Sequence, residues 1–178
     1  MYEELASWGV LLRAGLMSWE EYDAKLDERF DAQPEDEYLA RLEWCGSNRK
    51  DALSILLSLL ERRDLDLEAL GGWVFGRLEE VYRGEDCHIQ AFDRLIRAVW
   101  RDLPDGLRSD GAVFGICYAD EILEYRGEDE ARDVYEAAFR RFHPGAPSFA
   151  RRGKGAKARE EPVRPGILGR LALWRKKR

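Results

Sequence analysis

The sequence has too few cysteines for a disulfide framework. There are three in 178 residues, widely separated and without a C-x-x-C pair. That usage fits a reducing compartment. No stretch approaches the ~20 consecutive apolar residues of a membrane span. The opening residues, MYEELASWGV, are acidic where a secretion signal is basic. Sustained apolar–polar alternation and Asn-Gly turns are missing, which argues against a β-sheet protein. These absences point to a cytoplasmic, all-α protein without a transmembrane segment.

Catalytic signatures are equally scarce. G-x-S-x-G does not occur. Arg152-Gly153-Lys154-Gly155 resembles a phosphate loop only in composition, because the G-x-x-x-x-G-K-[ST] spacing is not met. The residues with ligand chemistry, Cys45, Cys87, Cys117, His88 and His143, are scattered. Only Cys87 and His88 are adjacent, and neighbours on a helix point about 100° apart. No zinc spacing results. The expectation is a non-enzyme with no catalytic residue, no metal and no cofactor. Paired carboxylates can do general acid–base work, but charge runs at this density arise by chance and usually form solvated faces. Asp120, Glu121 and Glu124 stand out among them, beside an apolar face near Cys117 and Tyr118.

Charge, by contrast, is plentiful and unevenly divided. Charged residues make up 36% of the chain, with a net of −6. Residues 150–178 hold eleven Lys or Arg against two Glu, a net of +9, which leaves −15 on residues 1–149. Such asymmetry suggests an interaction tail or a charged partner. The expected organisation is an acidic helical domain over residues 1–145 and a flexible basic tail over residues 146–178.

The acidic part reads as a compact bundle of about eight helices joined by short turns. Leu5, Trp8, Leu12 and Leu16 mark a first helix stopping at Gly15, where glycine supplies a left-handed cap. Ser18 and Glu21 match a capping box, with the carboxylate reaching back to the cap. Trp19, Tyr22, Leu26 and Phe30 follow on one face. Pro34 fits the first position of a third helix, through Tyr38, Leu39 and Leu42 to Gly46. Ser47 is placed as the cap of a fourth, whose Ala52–Leu60 run is apolar almost all round. That is the pattern of a central, buried helix.

Asp66 caps a fifth helix with Leu67, Leu70, Val74, Leu78 and Val81 inward, ending at Gly84. Gly72 and Gly76 within it imply a close-packed backbone. Ile89, Phe92, Ile96, Val99 and Leu103 share one face of a sixth, stopped by Pro104-Asp105-Gly106. A seventh runs from Asp110 to Gly127, with Ala112 to Tyr118 as a segment that also suits a short strand. Ala131, Val134, Ala138 and Phe142 define an eighth.

An acidic body repels nucleic acid and attracts a basic protein surface. Aromatic side chains among carboxylates make effective contact points. Trp44, Trp73, Tyr82 and Trp100 fit their inward faces least well, so they join Asp120, Glu121 and Glu124 as candidate partner-binding residues. In the tail, residues 167–177 have the pattern of a short amphipathic helix. Arg170, Trp174, Arg175, Lys176, Lys177 and Arg178 are its candidates for contact with an anionic membrane, with nucleic acid or with the acidic body.

Trp8-Gly9-Val10 and Gly15-Leu16-Met17-Ser18-Trp19-Glu20-Glu21 resemble the opening of small all-helical bacterial immunity proteins of polymorphic-toxin and contact-dependent systems. The resemblance extends in helical style over residues 5–142. It implies a protein-binding inhibitor whose acidic helical surface masks a basic partner protein, such as a toxin. It supplies no binding residue. Two alternatives from other classes remain: a scaffold or adaptor docked through its basic tail, and a helical enzyme using carboxylates.

Overall fold

Helix α1 (Tyr2–Ala14) is the axis of the molecule. Every residue from Glu4 to Leu11 is buried. In this computed structural model, which describes residues 2–84 and 87–143, α1 packs against α4 (Arg49–Ser58), α5 (Leu67–Arg83) and α6 (Ile89–Asp102). The remaining helices are α2 (Trp19–Ala32), α3 (Glu37–Cys45), α7 (Asp105–Arg108), α8 (Gly111–Phe114), α9 (Ala119–Tyr125) and α10 (Glu128–Phe142). The fold is all-α, and there is no strand among the described residues. Contacts between helices distant in sequence make it a bundle around α1 rather than a solenoid, where each unit meets only its neighbours.

The central position of α1 corrects the expectation for Ala52–Leu60. In that run only Ala52, Leu56 and Leu59 are fully buried, and Ser54 and Ser58 face solvent. The reason is neighbour number. Helix α4 lies over α1 and α3 from one side, whereas α1 has helices around it. Close approach of α4 to α1 uses Gly9, where an added Cβ would lie 2.9 Å from Leu56 Cβ.

Most helix ends follow the expected chemistry. Gly15 has φ +73° after α1. Ser18 Oγ accepts from the Glu21 amide at 3.1 Å, but the Glu21 carboxylate accepts from Arg77 instead of reaching back. Asp66 accepts from the amides of Glu68 and Ala69, and Gly84 ends α5. Two caps differ. Asp36 caps α3 through the Tyr38 and Leu39 amides, which leaves Pro34 in the preceding turn. Asn48, not Ser47, caps α4. Both substitutes offer a side-chain oxygen one or two residues nearer the first helical amides.

The expected seventh helix is broken. A single turn, α7, follows Pro104, and a 3-10 turn over Gly115–Tyr118 separates α8 from α9. Gly111 and Gly115 weaken a continuous α-helix here. The tighter 3-10 spacing eclipses residues three apart, and Val113, Ile116 and Ala119 are all buried accordingly. The segment is helical, not a strand.

Two helix faces keep most of their expected inward residues, Leu70, Val74 and Leu78 in α5 and Ala131 and Ala138 in α10, but are shifted at the edges. In α5 the buried positions include Leu70, Val74, Phe75, Leu78 and Tyr82, with Val81 only partly covered. In α10 Tyr135 and Phe139 point inward, and Val134 is partly covered. Gly72 has open space at its Cβ position, so the close contact falls instead on Gly71, against the Phe142 ring.

Candidate functional site

Several of the described carboxylates, buried ones included, are held by partners. Glu4 is buried and meets Arg29 at 2.7 Å. Asp93 is buried and accepts from the Tyr135 hydroxyl at 2.8 Å. Glu79 meets Arg83 at 2.6 Å and His143 at 3.3 Å. Arg141 joins Glu68 and Asp110. Arg77 joins Glu21 and Glu80. A protein with this excess of acid still runs out of cations somewhere, and one such place is the α2–α3 hairpin.

Residues 19–45 hold ten carboxylates against three cations. Asp23, Asp27 and Asp31 recur every fourth residue on α2, a stacked stripe of like charge. Glu43 of α3 lies close enough to sense all three. Burial first, then the charges of Asp27, Asp23 and Asp31, pushes the Glu43 carboxyl above its ordinary value. Only Asp23 is neutralised, by Arg49 of α4. Among the described residues, Asp27, Asp31 and Glu43 have no ion pair.

Asp23, Asp27 and Glu43 line a cleft of about 250 Å³ between α2 and α3, together with Tyr22, Leu26, Leu42, Gly46, Ser47 and Arg49. Tyr22 is 1% exposed. Its hydroxyl has no hydrogen-bond partner among the described residues. Burial, then the neighbouring negative charges, holds that phenol well above its ordinary pKa. Beside Glu43 stands Trp44, 92% exposed and the most open large hydrophobic side chain described.

The expected site residues distribute as follows. Trp44 is on α3, next in sequence to Glu43 but outside the residues that line the cleft. Trp73 is on α5, 49% exposed. Trp100 is partly buried in α6, with the Arg108 guanidinium 5.5 Å from its ring. Tyr82 has to be corrected: it is fully buried, packed against Phe92 and Phe139 with its hydroxyl accepting from Arg132. It offers no surface to a partner.

Glu121 and Glu124 are exposed on α9. Asp120 pairs with Arg97, and that guanidinium holds its carboxyl below the usual carboxylate range. Arg97 and Trp100 line one cleft of about 520 Å³ with Arg94, Arg101 and Cys117. The structure therefore links Asp120 to the neighbourhood of Trp100, while Trp44 belongs to the hairpin. Arg170, Trp174, Arg175, Lys176, Lys177 and Arg178 lie outside the described residues, as does the 167–177 segment.

Other chemistry is limited. The three cysteines are free thiols, and burial pushes each of them up in pKa, away from a reactive thiolate. No group of three ligand-type side chains converges on a metal position among the described residues. No helix among them is long and apolar enough to cross a membrane. Residues that sequence reasoning missed are Tyr22, Asp23, Asp27, Asp31 and Glu43. The aspartates carried a visible signal, their four-residue spacing. Exposed Phe114, Tyr118 and Tyr125 were missed as well.

No family model, curated protein or solved structure matches the chain.

Proposed function

We propose that this is a non-catalytic binding protein of the immunity type, whose acidic helical surface covers and blocks a basic partner protein such as a toxin. The supporting observation is the α2–α3 hairpin, where carboxylates without cations lie next to the exposed Trp44. Unpaired charge draws a basic surface in and speeds encounter. The exposed indole of the same hairpin supplies an apolar contact that anchors it. The mechanism is occlusion, steric and electrostatic. The free thiols accord with the cytoplasm as its place of action.

The test uses the full chain as bait in native lysate, washed at low and high salt. A second bait carries Asp27→Asn, Asp31→Asn, Glu43→Gln and Trp44→Ala. The native bait is expected to retain a basic protein that high salt releases, and the variant to lose it. Co-expression should relieve any growth arrest that the retained protein causes. Equal retention by both baits, or a complex indifferent to salt, overturns the reading.

A second reading rests on the +9 of residues 150–178. It makes the protein an adaptor docked on anionic lipid or nucleic acid through its tail. Co-sedimentation with phosphatidylserine vesicles and a duplex mobility shift decide it. Binding to either that disappears on replacing Trp174 and the tail cations supports it, and binding to neither removes it.

A further inference from the structure

The α2–α3 cleft has the chemistry of a receptor for one cationic side chain. Arg49 lines the cleft and is taken up by Asp23, whereas Asp27 and Glu43 face the same space without an ion pair among the described residues. Mutual repulsion between carboxylates is relieved by a positive group seated between them. Tyr22 supplies an independent observation. It is 1% exposed, it lines the cleft, and its hydroxyl has no hydrogen-bond partner among the described residues. Buried hydroxyls in native proteins are nearly always paired. An incoming N–H group would pair this one.

Size narrows the occupant. The cleft measures about 250 Å³. That is below the roughly 300–1,000 Å³ of pockets for drug-sized ligands, and it suits a single long side chain. The donor set narrows it further. No three ligand-type side chains converge on a metal among the described residues. Guanidinium is planar and offers five N–H donors in a fixed fork, enough for two carboxylates and a hydroxyl together. Ammonium is a compact, strongly hydrated charge with three donors.

We propose that the cleft binds an arginine side chain of the basic partner, its guanidinium between the Asp27 and Glu43 carboxylates and one N–H donating to the Tyr22 hydroxyl oxygen. This deepens the binding-protein reading above and rests on it.

The experiment titrates the full chain, labelled with nitrogen-15, with short peptides identical except for one position: arginine, lysine or neutral citrulline. The arginine peptide is expected to shift the amide signals of Asp27, Glu43 and Gly46. Its Kd should lie about tenfold below that of the citrulline peptide, as a charge-assisted pair requires, and clearly below that of the lysine peptide. Asp27→Asn with Glu43→Gln should abolish the difference between arginine and citrulline. Tyr22→Phe should weaken arginine binding severalfold with its melting curve preserved. Equal binding of arginine and citrulline overturns the proposal, as do equal binding of lysine and shifts that fall elsewhere. So do cleft signals that move, with no peptide present, when Arg170, Arg175 and Arg178 are replaced by Gln, since the chain's own tail would then be the occupant. A basic protein retained through the hairpin without arginine-peptide binding sinks the cleft and leaves the binding-protein reading standing. Peptide binding without capture of a protein does the reverse.

Discussion

Arg49 of α4 donates to both carboxylate oxygens of Asp23 on α2, at 2.5 Å each, and its guanidinium lies 4.8 Å from the Trp19 ring centre. One side chain thus ties the acidic hairpin to the bundle and neutralises one carboxylate of the cleft. Both partners are partly exposed, so screening holds the ion pair to about 1 kcal/mol or less. The ring contact adds about 0.5–1 kcal/mol. Arg49→Ala should therefore destabilise by about 1–2 kcal/mol, lowering Tm by about 2–4 °C for each kcal/mol. Part of the loss should vanish in 1 M salt, where exposed charges are screened within about 3 Å. Circular dichroism melts at two salt concentrations check both statements; an unchanged Tm would mean that the latch holds nothing.

Neighbouring glycines of α5 should respond in opposite directions. A Cβ at Gly71 would overlap the Phe142 ring, which stacks on Phe75 with centroids 4.9 Å apart. Gly71→Ala must displace that ring, and overpacking of this kind costs about 1–3 kcal/mol. Gly72 has nothing within 4 Å of its Cβ position. Gly72→Ala should stabilise by up to about 1 kcal/mol through helix propensity. Chemical denaturation of the two variants tests the pair. In Phe142→Ala background the Gly71→Ala penalty should shrink, because residues in contact are not additive.

Those glycines show where the sequence was legible and where it was not. Local chemistry could be read: Ser18 and Asp66 as caps, Gly84 as a stop, and the Ile89–Leu103 face of α6, all inward. What depends on neighbours could not. Val81 and Tyr82 are both acceptable inner residues on pattern alone, and they differ by one step of about 100°. The rings of Phe92, Tyr135 and Phe139 settle the choice in favour of Tyr82. The central role of α1 and the peripheral role of α4 follow from how many helices surround each, which periodicity does not encode. The cleft is a similar case. Asp23, Asp27 and Asp31 are spaced in plain view, but Glu43 meets them only once α3 has packed against α2.

Tyr22 should make the protein sensitive to alkali. Its folded pKa is raised above the ordinary value of 10.0, mainly by burial. The neutral phenol is therefore favoured in the folded state. Its contribution is complete below the unfolded pKa and is lost as pH rises beyond it, because the unfolded chain ionises first. The slope is about 1.4 kcal/mol per pH unit for each such group. Tyr22→Phe should remove that slope above about pH 10. Near neutral pH the same variant should be as stable as the native protein or more so, since a buried hydroxyl without a partner is a net cost of about 1–3 kcal/mol. Urea titrations at pH 7 and pH 11 decide this. A native protein more stable than the variant at pH 11 would sink it.

Trp44 and Tyr82, both large aromatics at apparent edges of their helices, should separate binding from stability. Trp44 is 92% exposed, so Trp44→Ala removes almost no buried area. Its effect on folding should stay within about 0.5 kcal/mol, as for surface substitutions in general. Partner retention should fall, because an exposed indole among carboxylates is where a partner would be desolvated against the surface. Tyr82 is completely buried. Tyr82→Ala deletes a ring from a packed aromatic cluster and should cost about 3–5 kcal/mol. That loss would reduce partner retention only through the fraction of molecules unfolded. The two routes are told apart by measuring retention at a temperature well below each variant's Tm. There Tyr82→Ala should regain native retention while Trp44→Ala stays defective. If Trp44→Ala keeps full retention, the hairpin's exposed face is not where the partner sits.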